Sequence, residues 1–163
     1  MPSLLFICTA NICRSPLAEG LMKLHIANRP DASLWRIESA GTWGLDGERP
    51  VTEVLLILKE KGIDLSSHRA RTVTRQIIAP FNLVLTMEER HRDALRTEFP
   101  QIPKRVFLLS EMVNALFDIR DPIGKPLKEF RRTADLIDRV LIEGFDRILE
   151  LASRTPTVPI PER

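Results

Sequence analysis

Tyrosine is absent from the 163-residue chain, and cysteine occurs only twice, at Cys8 and Cys13. The absence of tyrosine excludes a tyrosine side chain from any catalytic role. Two cysteines cannot build the multi-disulfide framework of small secreted domains, so we expect a cytoplasmic protein. The apolar run at residues 4–8 is too short for the core of a signal peptide or for the ~20 residues of a membrane span. We therefore expect no membrane partner.

A large charge of one sign is also lacking, because 24 Lys and Arg oppose 22 Asp and Glu and leave a formal net charge of +2. A general nucleic-acid binder carries a much larger basic excess, so we expect no nucleic-acid partner. The length is typical of one domain, and 44% hydrophobic residues supply a core. We predict one domain over residues 1–154. Because prolines interrupt residues 155–163, we predict a flexible terminal tail there.

Apolar runs alternate with helical patterns along the chain. The predicted strands are residues 3–8, 35–40, 81–85 and 106–108, and the predicted helices are residues 16–27, about 54–63, 87–99 and a single last helix over 130–152. This alternation predicts an α/β fold with an open parallel four-stranded sheet flanked by helices on both faces. Ligands of such sheets bind beyond the carboxyl ends of the strands. That rule favours a site in the loop after the first strand.

The loop after the first predicted strand carries the residue types that phosphate chemistry requires. Cys8 is followed six and seven positions later by Arg14 and Ser15, and Pro16 suits the first turn of the next helix. Backbone N–H groups of a loop of this length can surround a tetrahedral dianion, to which the helix N-terminus adds positive potential. The planar guanidinium of Arg14 can bind two phosphoryl oxygens at once. The pattern predicts a phosphate-binding loop.

Cys8 is the predicted nucleophile of this loop. The surrounding N–H groups and the guanidinium favour its thiolate, which is the reactive form, and Ser15 can donate a hydrogen bond to the sulfur. Two alternatives stay open. Cys8 could be a small buried residue at the end of a strand, and Ser15 could be a helix N-cap.

Four blocks of the sequence occur in a fixed order: Cys8-Thr-Ala-Asn-Ile-Cys-Arg-Ser-Pro16, Ser39-Ala-Gly-Thr42, Gly62-Ile-Asp-Leu-Ser-Ser-His-Arg69 and Asp121-Pro122. Together they resemble the low-molecular-weight protein tyrosine phosphatases. The resemblance extends from residue 4 to about residue 151. Several ordered blocks make it far more specific than the Cys8 loop alone.

The resemblance implies a two-step hydrolysis of phosphotyrosine in a phosphorylated protein substrate, with inorganic phosphate as the product and no cofactor. Cys8 would form a phosphocysteine while Arg14 and the loop hold the phosphoryl oxygens. The loop residues concerned are Thr9, Ala10, Asn11, Ile12 and Cys13. Asp121 would protonate the leaving oxygen and then act as the base on water. Asp118, three positions earlier, is the alternative acid.

The resemblance also implies supporting roles around the loop. Asn11 would hold the loop in a strained shape, with Ser39 and His68 as its hydrogen-bond partners, although such residues are also common in turns and caps. Cys13 would form a reversible disulfide with Cys8, which implies redox regulation. The alternative is that Cys13 only fills space in the core and has no redox role.

The remaining histidines, His25 and His91, have no metal-ligand spacing, so we expect both on helix surfaces. A single pair of cysteines without a second Cys or His pair is a poor zinc signal. We therefore predict no metal site.

The rim of the site decides the substrate. Trp43 fits the family's aromatic rim, whereas Ile123 stands where an aromatic residue is common. Ile12 resembles the tyrosine-specific branch, because bacterial arginine phosphatases of the family place threonine at that position. We therefore expect a phosphotyrosine substrate, with protein arginine phosphatase as the alternative.

Two further functions stay open at this point. Arsenate reductases share the fold, but they relay electrons through further cysteines, and this chain has none after Cys13. A non-catalytic module that binds phosphate or phosphopeptides could use the basic stretch at residues 68–71, which we otherwise expect to be a solvated surface. An intact set of Cys8, Arg14 and Asp121 favours catalysis, because binding alone does not require it.

Overall fold

The computed structural model describes residues 1–154, so the tail predicted at residues 155–163 lies outside the described residues. One all-parallel sheet has the order β2-β1-β3-β4. Its strands are β1 (Ser3–Cys8), β2 (Arg36–Gly41), β3 (Leu83–Thr86) and β4 (Val106–Leu108). The predicted parallel four-stranded sheet is confirmed.

Helices cover both faces of this sheet. They are α1 (Arg14–Ile26), α2 (Thr52–Glu60), α3 (Arg75–Ile78), α4 (Glu89–Glu98), α5 (Leu127–Glu143) and α6 (Phe145–Ala152). Successive side chains of a strand point to opposite faces. Leu4 and Phe6 therefore pack into a core with α1, α2, α5 and α6, whereas Leu5 and Ile7 pack into a second core with α3 and α4. No helix within residues 1–154 has the length and apolar character needed to cross a membrane.

The single last helix predicted over residues 130–152 is wrong, because Gly144 separates α5 from α6. A Cβ atom at Gly144 would lie 2.8 Å from the Cβ of Met112 and 2.9 Å from the carbonyl oxygen of Val140. The close approach to Met112 requires a residue without a side chain. Both helices bury apolar residues in the same core, so the helical spacing of apolar residues continues across Gly144. The sequence pattern therefore does not show the break.

The sheet brings the candidate residues together at its carboxyl edge. Strand β1 ends at Cys8 and α1 begins at Arg14, so residues 9–13 form the connecting loop. Strands β2 and β3 flank β1, and their carboxyl ends lie beside this loop. Gly41 at the end of β2 approaches it most closely, since a Cβ atom there would lie 2.2 Å from the carbonyl oxygen of Thr9.

Candidate active site

The loop of residues 9–13 turns its carbonyl groups outward. Three N–H groups of the segment after β2 donate to carbonyls at 2.9 to 3.1 Å: Thr42 to Cys8, Trp43 to Thr9 and Leu45 to Ala10. The carbonyl of Ile12 accepts from the N–H of Val51 at 2.9 Å. The backbone N–H groups of residues 9–15, by contrast, donate to no acceptor within residues 1–154. The loop is therefore built as a ring of free donors, which is the arrangement that binds an anion.

Asn11 holds the loop in this shape. Its φ of 60° lies in the left-handed region, which asparagine tolerates better than most residues. Its Nδ2 donates to Ser15 Oγ at 2.8 Å and to Ser39 Oγ at 2.9 Å, and its Oδ1 accepts from the N–H of Arg71 at 3.1 Å. His68 Nε2 lies 3.1 Å from the carbonyl oxygen of Asn11. The structure thus places Ser39 and His68 in contact with Asn11.

Ser15 lies against the sulfur of Cys8. Its Oγ is 2.9 Å from Cys8 Sγ and 3.4 Å from the carbonyl oxygen of Ala40. Because Asn11 donates to this hydroxyl, the hydrogen of Ser15 is free to point to the sulfur. Ser15 is the second residue of α1, and the N-cap position belongs to Cys13, which makes no side-chain cap. The alternative of Ser15 as an N-cap is therefore wrong.

A buried carboxylate, Glu19 of α1, extends this network. Ser39 Oγ donates to Glu19 Oε2 at 2.6 Å, and Lys23 Nζ donates to Glu19 Oε1 at 2.6 Å. His68 Nδ1 lies 3.7 Å from Glu19 Oε2. Sequence reasoning missed Glu19, although an acidic residue among the buried positions of an apolar helix was a usable signal.

Arg14 is held in place without any ligand. Its side chain is 2% exposed, and Nη1 donates to the carbonyl oxygen of Ile119 at 2.7 Å and to Glu88 Oε2 at 2.9 Å. Its Nη2 lies 3.6 Å from Asp121 Oδ2, beyond hydrogen-bond distance. One edge of the guanidinium is therefore anchored, and Nη2 is left for phosphoryl oxygen.

Glu88, the anchor of Arg14, was also missed from the sequence. Burial opposes the negative charge of Glu88, but hydrogen bonds from Arg90 and Arg14 outweigh it and lower the pKa of the carboxyl group. Glu88 follows β3 at the carboxyl edge of the sheet. A charged residue at that edge was the signal that could have found it.

His91 is buried at 1% exposure, so its predicted place on a helix surface is wrong. Its Nδ1 accepts a hydrogen bond from the N–H of Glu88 at 3.2 Å, which leaves the ring hydrogen on Nε2. That Nε2 lies 2.8 Å from Thr9 Oγ1 and donates to it. Burial lowers the pKa of His91 to about 4. The reason for the error is that the start of α4 packs against the phosphate loop, which no local pattern shows.

His25 lies partly buried between two helices, with Nε2 2.6 Å from Asp138 Oδ1. The basic stretch at residues 68–71 is likewise not wholly solvated. Arg71 Nε donates to the carbonyl oxygen of Ser39 at 3.1 Å, and Nη2 donates to Glu38 Oε2 at 2.6 Å. These contacts brace the residue that holds Asn11, so they belong to the loop's support.

The two candidate acids have different surroundings. Asp121 has a half-exposed side chain beside Arg14, and its Oδ1 accepts from the N–H of Ile123 at 3.1 Å. Asp118 Oδ1 instead accepts from the N–H of Glu89, the first residue of α4, at 2.9 Å. Asp118 therefore stabilises a helix terminus, whereas Asp121 is free to face a ligand held by Arg14.

The rim residues surround the loop unequally. Trp43 is 79% exposed and is tied to the loop by its backbone bond to Thr9. Ile123 is 44% exposed, and Ile12 is half-buried. Cys13 is a buried free thiol, and burial raises its pKa. Among residues 1–154, no cluster of three or more His, Cys, Asp or Glu side chains could hold a metal ion.

A thiol that faces a hydroxyl donor, under a ring of free amides closed by an anchored guanidinium, defines a class of enzyme: the cysteine-based phosphatases. The comparison with known families agrees. The chain belongs to the low molecular weight phosphotyrosine protein phosphatase family, which it matches over residues 3–151.

Relatives of known name differ in their substrates. The chain is 32% identical to a probable low molecular weight protein-tyrosine-phosphatase, EpsP, of Ralstonia nicotianae, covering 91% of this chain and 97% of the relative. It is 33% identical to a protein-arginine-phosphatase of Geobacillus stearothermophilus, covering 84% and 92%. It is 37% identical to an arsenate reductase of Staphylococcus aureus, covering 86% and 92%.

A solved structure has the same fold. The low molecular weight protein tyrosine phosphatase from T. tengcongensis superposes with a TM-score of 0.82 at 30% identity, covering 90% of this chain and 99% of that one. The predicted family and fold are therefore confirmed. The named relatives include a tyrosine phosphatase, an arginine phosphatase and an arsenate reductase, so they do not identify the substrate of this chain.

Proposed function

We propose that this protein hydrolyses phosphotyrosine in phosphorylated proteins through a phosphocysteine intermediate. In the first step Cys8 Sγ attacks phosphorus, and the bond from phosphorus to the phenolic oxygen breaks. Asp121 gives its proton to that oxygen as it leaves. Arg14 and the free N–H groups of the loop bind the three equatorial phosphoryl oxygens of the transition state.

In the second step water attacks the phosphocysteine. Asp121, now a carboxylate, takes a proton from this water, and the sulfur–phosphorus bond breaks. Ser15 donates to the sulfur as it leaves as a thiolate, which the 2.9 Å contact allows. Inorganic phosphate is released, and the proton balance of Asp121 and Cys8 is restored.

The observation that carries the choice of phosphotyrosine is the apolar side chain of Ile12 in the loop. Phosphoarginine presents guanidinium N–H groups next to the phosphorus, and these need hydrogen-bond acceptors when they are desolvated. Ile12 offers none. The exposed ring of Trp43 can pack on a phenyl ring or on a guanidinium, so Trp43 supports either substrate and Ile12 discriminates.

The other two functions have weaker support. A reductase that relays electrons by disulfide exchange needs a further cysteine, and Cys13 is the only one besides the nucleophile. A phosphate-binding module has no use for an aspartate beside the phosphate site, because Asp121 would repel the ligand unless it carried a proton.

The test is initial phosphate release, in reducing buffer, from phosphotyrosine and phosphoarginine peptides of otherwise identical sequence. We expect faster release from phosphotyrosine, none with Cys8→Ser, and a smaller preference with Ile12→Thr, since the new hydroxyl can accept from a guanidinium. Preference for phosphoarginine in the unaltered protein would keep the mechanism and reject the substrate. Release from neither peptide would favour the binding module.

We also propose that oxidation switches the enzyme off reversibly. Peroxide converts the Cys8 thiolate to a sulfenic acid, and the Cys13 thiol displaces water from it to form a disulfide. Treated enzyme should then recover with dithiothreitol, and mass spectrometry should find a link between Cys8 and Cys13. Irreversible loss, or recovery without that link, contradicts the switch.

A further inference from the structure

Arg90 is an exposed cation at the rim of the phosphate loop. Its side chain is 64% exposed, and Nη2 donates to Thr9 Oγ1 at 3.0 Å and to Glu88 Oε2 at 2.9 Å. Thr9 directly follows the nucleophile, so the guanidinium lies beside the mouth of the site. Arg90 is also the second residue of α4, where the helix dipole disfavours a cation. Helix stability therefore does not explain this arginine.

Thr9 can only donate a hydrogen bond to a ligand. His91 donates to Thr9 Oγ1 from Nε2, because its Nδ1 is already an acceptor for the N–H of Glu88. Arg90 donates to the same oxygen, so both acceptor sites of the hydroxyl are filled. No described group within residues 1–154 accepts the hydroxyl hydrogen. That hydrogen is available to an acceptor from outside the protein.

The carboxylates near Arg90 also serve other groups. Its partner Glu88 also binds Arg14, so one carboxylate serves two guanidinium groups. Asp118 and Asp121 also raise the pKa of Arg90 through their charge, but Asp118 accepts from the N–H of Glu89 and Asp121 lies beside Arg14. The Nε and Nη1 groups of Arg90 donate to nothing in the described part of the chain.

We propose that Arg90 and the Thr9 hydroxyl bind the side-chain carboxylate of an acidic residue next to the phosphorylated residue of the substrate. Both groups are donors, one is charged, and a carboxylate accepts from both in a charge-assisted pair. The inference rests on the proposed function only in assuming a phosphorylated protein substrate.

The test uses phosphotyrosine peptides that differ only by Glu or Gln at one position, placed before or after the phosphorylated residue. The measured quantity is the ratio of kcat/KM for the Glu peptide to that for the Gln peptide. We expect a ratio of about three- to tenfold at one of the two positions at low salt, the size that an exposed charge-assisted contact supplies. Arg90→Gln should bring the ratio to about one, Arg90→Lys should keep part of it, and Arg90→Glu should invert it.

Thr9→Val removes the hydroxyl and keeps the shape of the side chain, so it should lower the ratio. Thr9→Ser keeps the hydroxyl and should preserve the ratio. Ratios are compared within each variant, so a general loss of activity does not affect them. A ratio near one in the unaltered protein, or one that Arg90→Gln leaves unchanged, overturns the inference. If phosphoarginine proves to be the substrate, the kcat/KM ratio is measured with the same Glu and Gln pair on phosphoarginine peptides. If no peptide is cleaved, the dissociation constants of the two peptides for Cys8→Ser are compared instead.

Discussion

The two sides of the phosphate loop are built differently. On the β2 side, Asn11, Ser15 and Ser39 form a buried polar network that ends in Glu19, and every one of these side chains has hydrogen-bond partners. On the opposite side, the Glu88 and Asp121 side chains are partly exposed and lie on either side of Arg14. The polar supports on the β2 side are buried, whereas the two carboxylates on the opposite side reach solvent.

The two sides differ in burial because one shapes the anion-binding loop and the other carries the proposed acid. Free amides bind an anion well only if the loop keeps its shape before the ligand arrives, so its supports are buried and fully paired. A carboxylate that transfers protons has to meet both the leaving group and water, and Asp121, the acid we propose, is half-exposed. Substitutions on the β2 side should therefore affect stability and activity together, whereas substitution of Asp121 should affect activity alone.

Asp121→Asn is expected to give the largest effect. The amide keeps the acceptor for the N–H of Ile123, but it cannot give a proton to the leaving oxygen. We expect kcat to fall about 10²- to 10⁴-fold, with an almost unchanged free energy of unfolding. Steady-state phosphate release and urea unfolding measure the two quantities.

Asp118→Asn is the matched control for that substitution. It should leave kcat close to that of the unaltered protein and lower the free energy of unfolding by about 0.5 kcal/mol, because it weakens the charge at the start of α4. Equal losses of kcat in both variants would contradict the assignment of the acid to Asp121.

His91 should make the protein labile in mild acid. Its pKa is about 4 in the folded state against 6.5 for a free side chain, so between these values the unfolded state binds a proton that the folded state does not. Stability is fully present above pH 6.5 and falls by roughly 3 kcal/mol as the pH drops to about 4. The pKa of Glu88 is also lowered in the folded state, so its protonation at still lower pH further reduces the free energy of unfolding.

The measurement is urea unfolding at several pH values between 4 and 8. His91→Gln removes the titrating group, so its free energy of unfolding should vary less with pH, even if it is lower at pH 7. Identical slopes for the variant and the unaltered protein would show that His91 does not carry the effect.

Asn11→Ala should lower the free energy of unfolding by less than the acid titration of His91 does, and it acts on stability and activity at once. It leaves the N–H of Arg71 without its partner and puts alanine in the left-handed region. We expect the free energy of unfolding to fall by about 2 kcal/mol. Phosphate release should fall in the same variant. Asn11→Gly, which relieves the backbone strain alone, should recover part of the stability and little of the activity.

Much of the fold and the centre of the site could be predicted from the sequence. The buried strands gave clear apolar runs, and the Cys8 to Arg14 spacing lies within one local loop. Glu88 and Glu19 escaped because their roles depend on which distant groups reach them, here Arg14 and Ser39. His91 escaped for the same reason, since its burial depends on how α4 packs against Thr9.

The outward-facing carbonyls of the loop have a consequence for turnover. A cradle that is already shaped loses little conformational entropy when it binds a phosphoryl group, and this holds equally for the free phosphate that the reaction releases. We therefore expect inorganic phosphate, the product, to compete with the substrate for the loop. The working rate of the enzyme then depends on the phosphate concentration around it as well as on the supply of phosphoprotein.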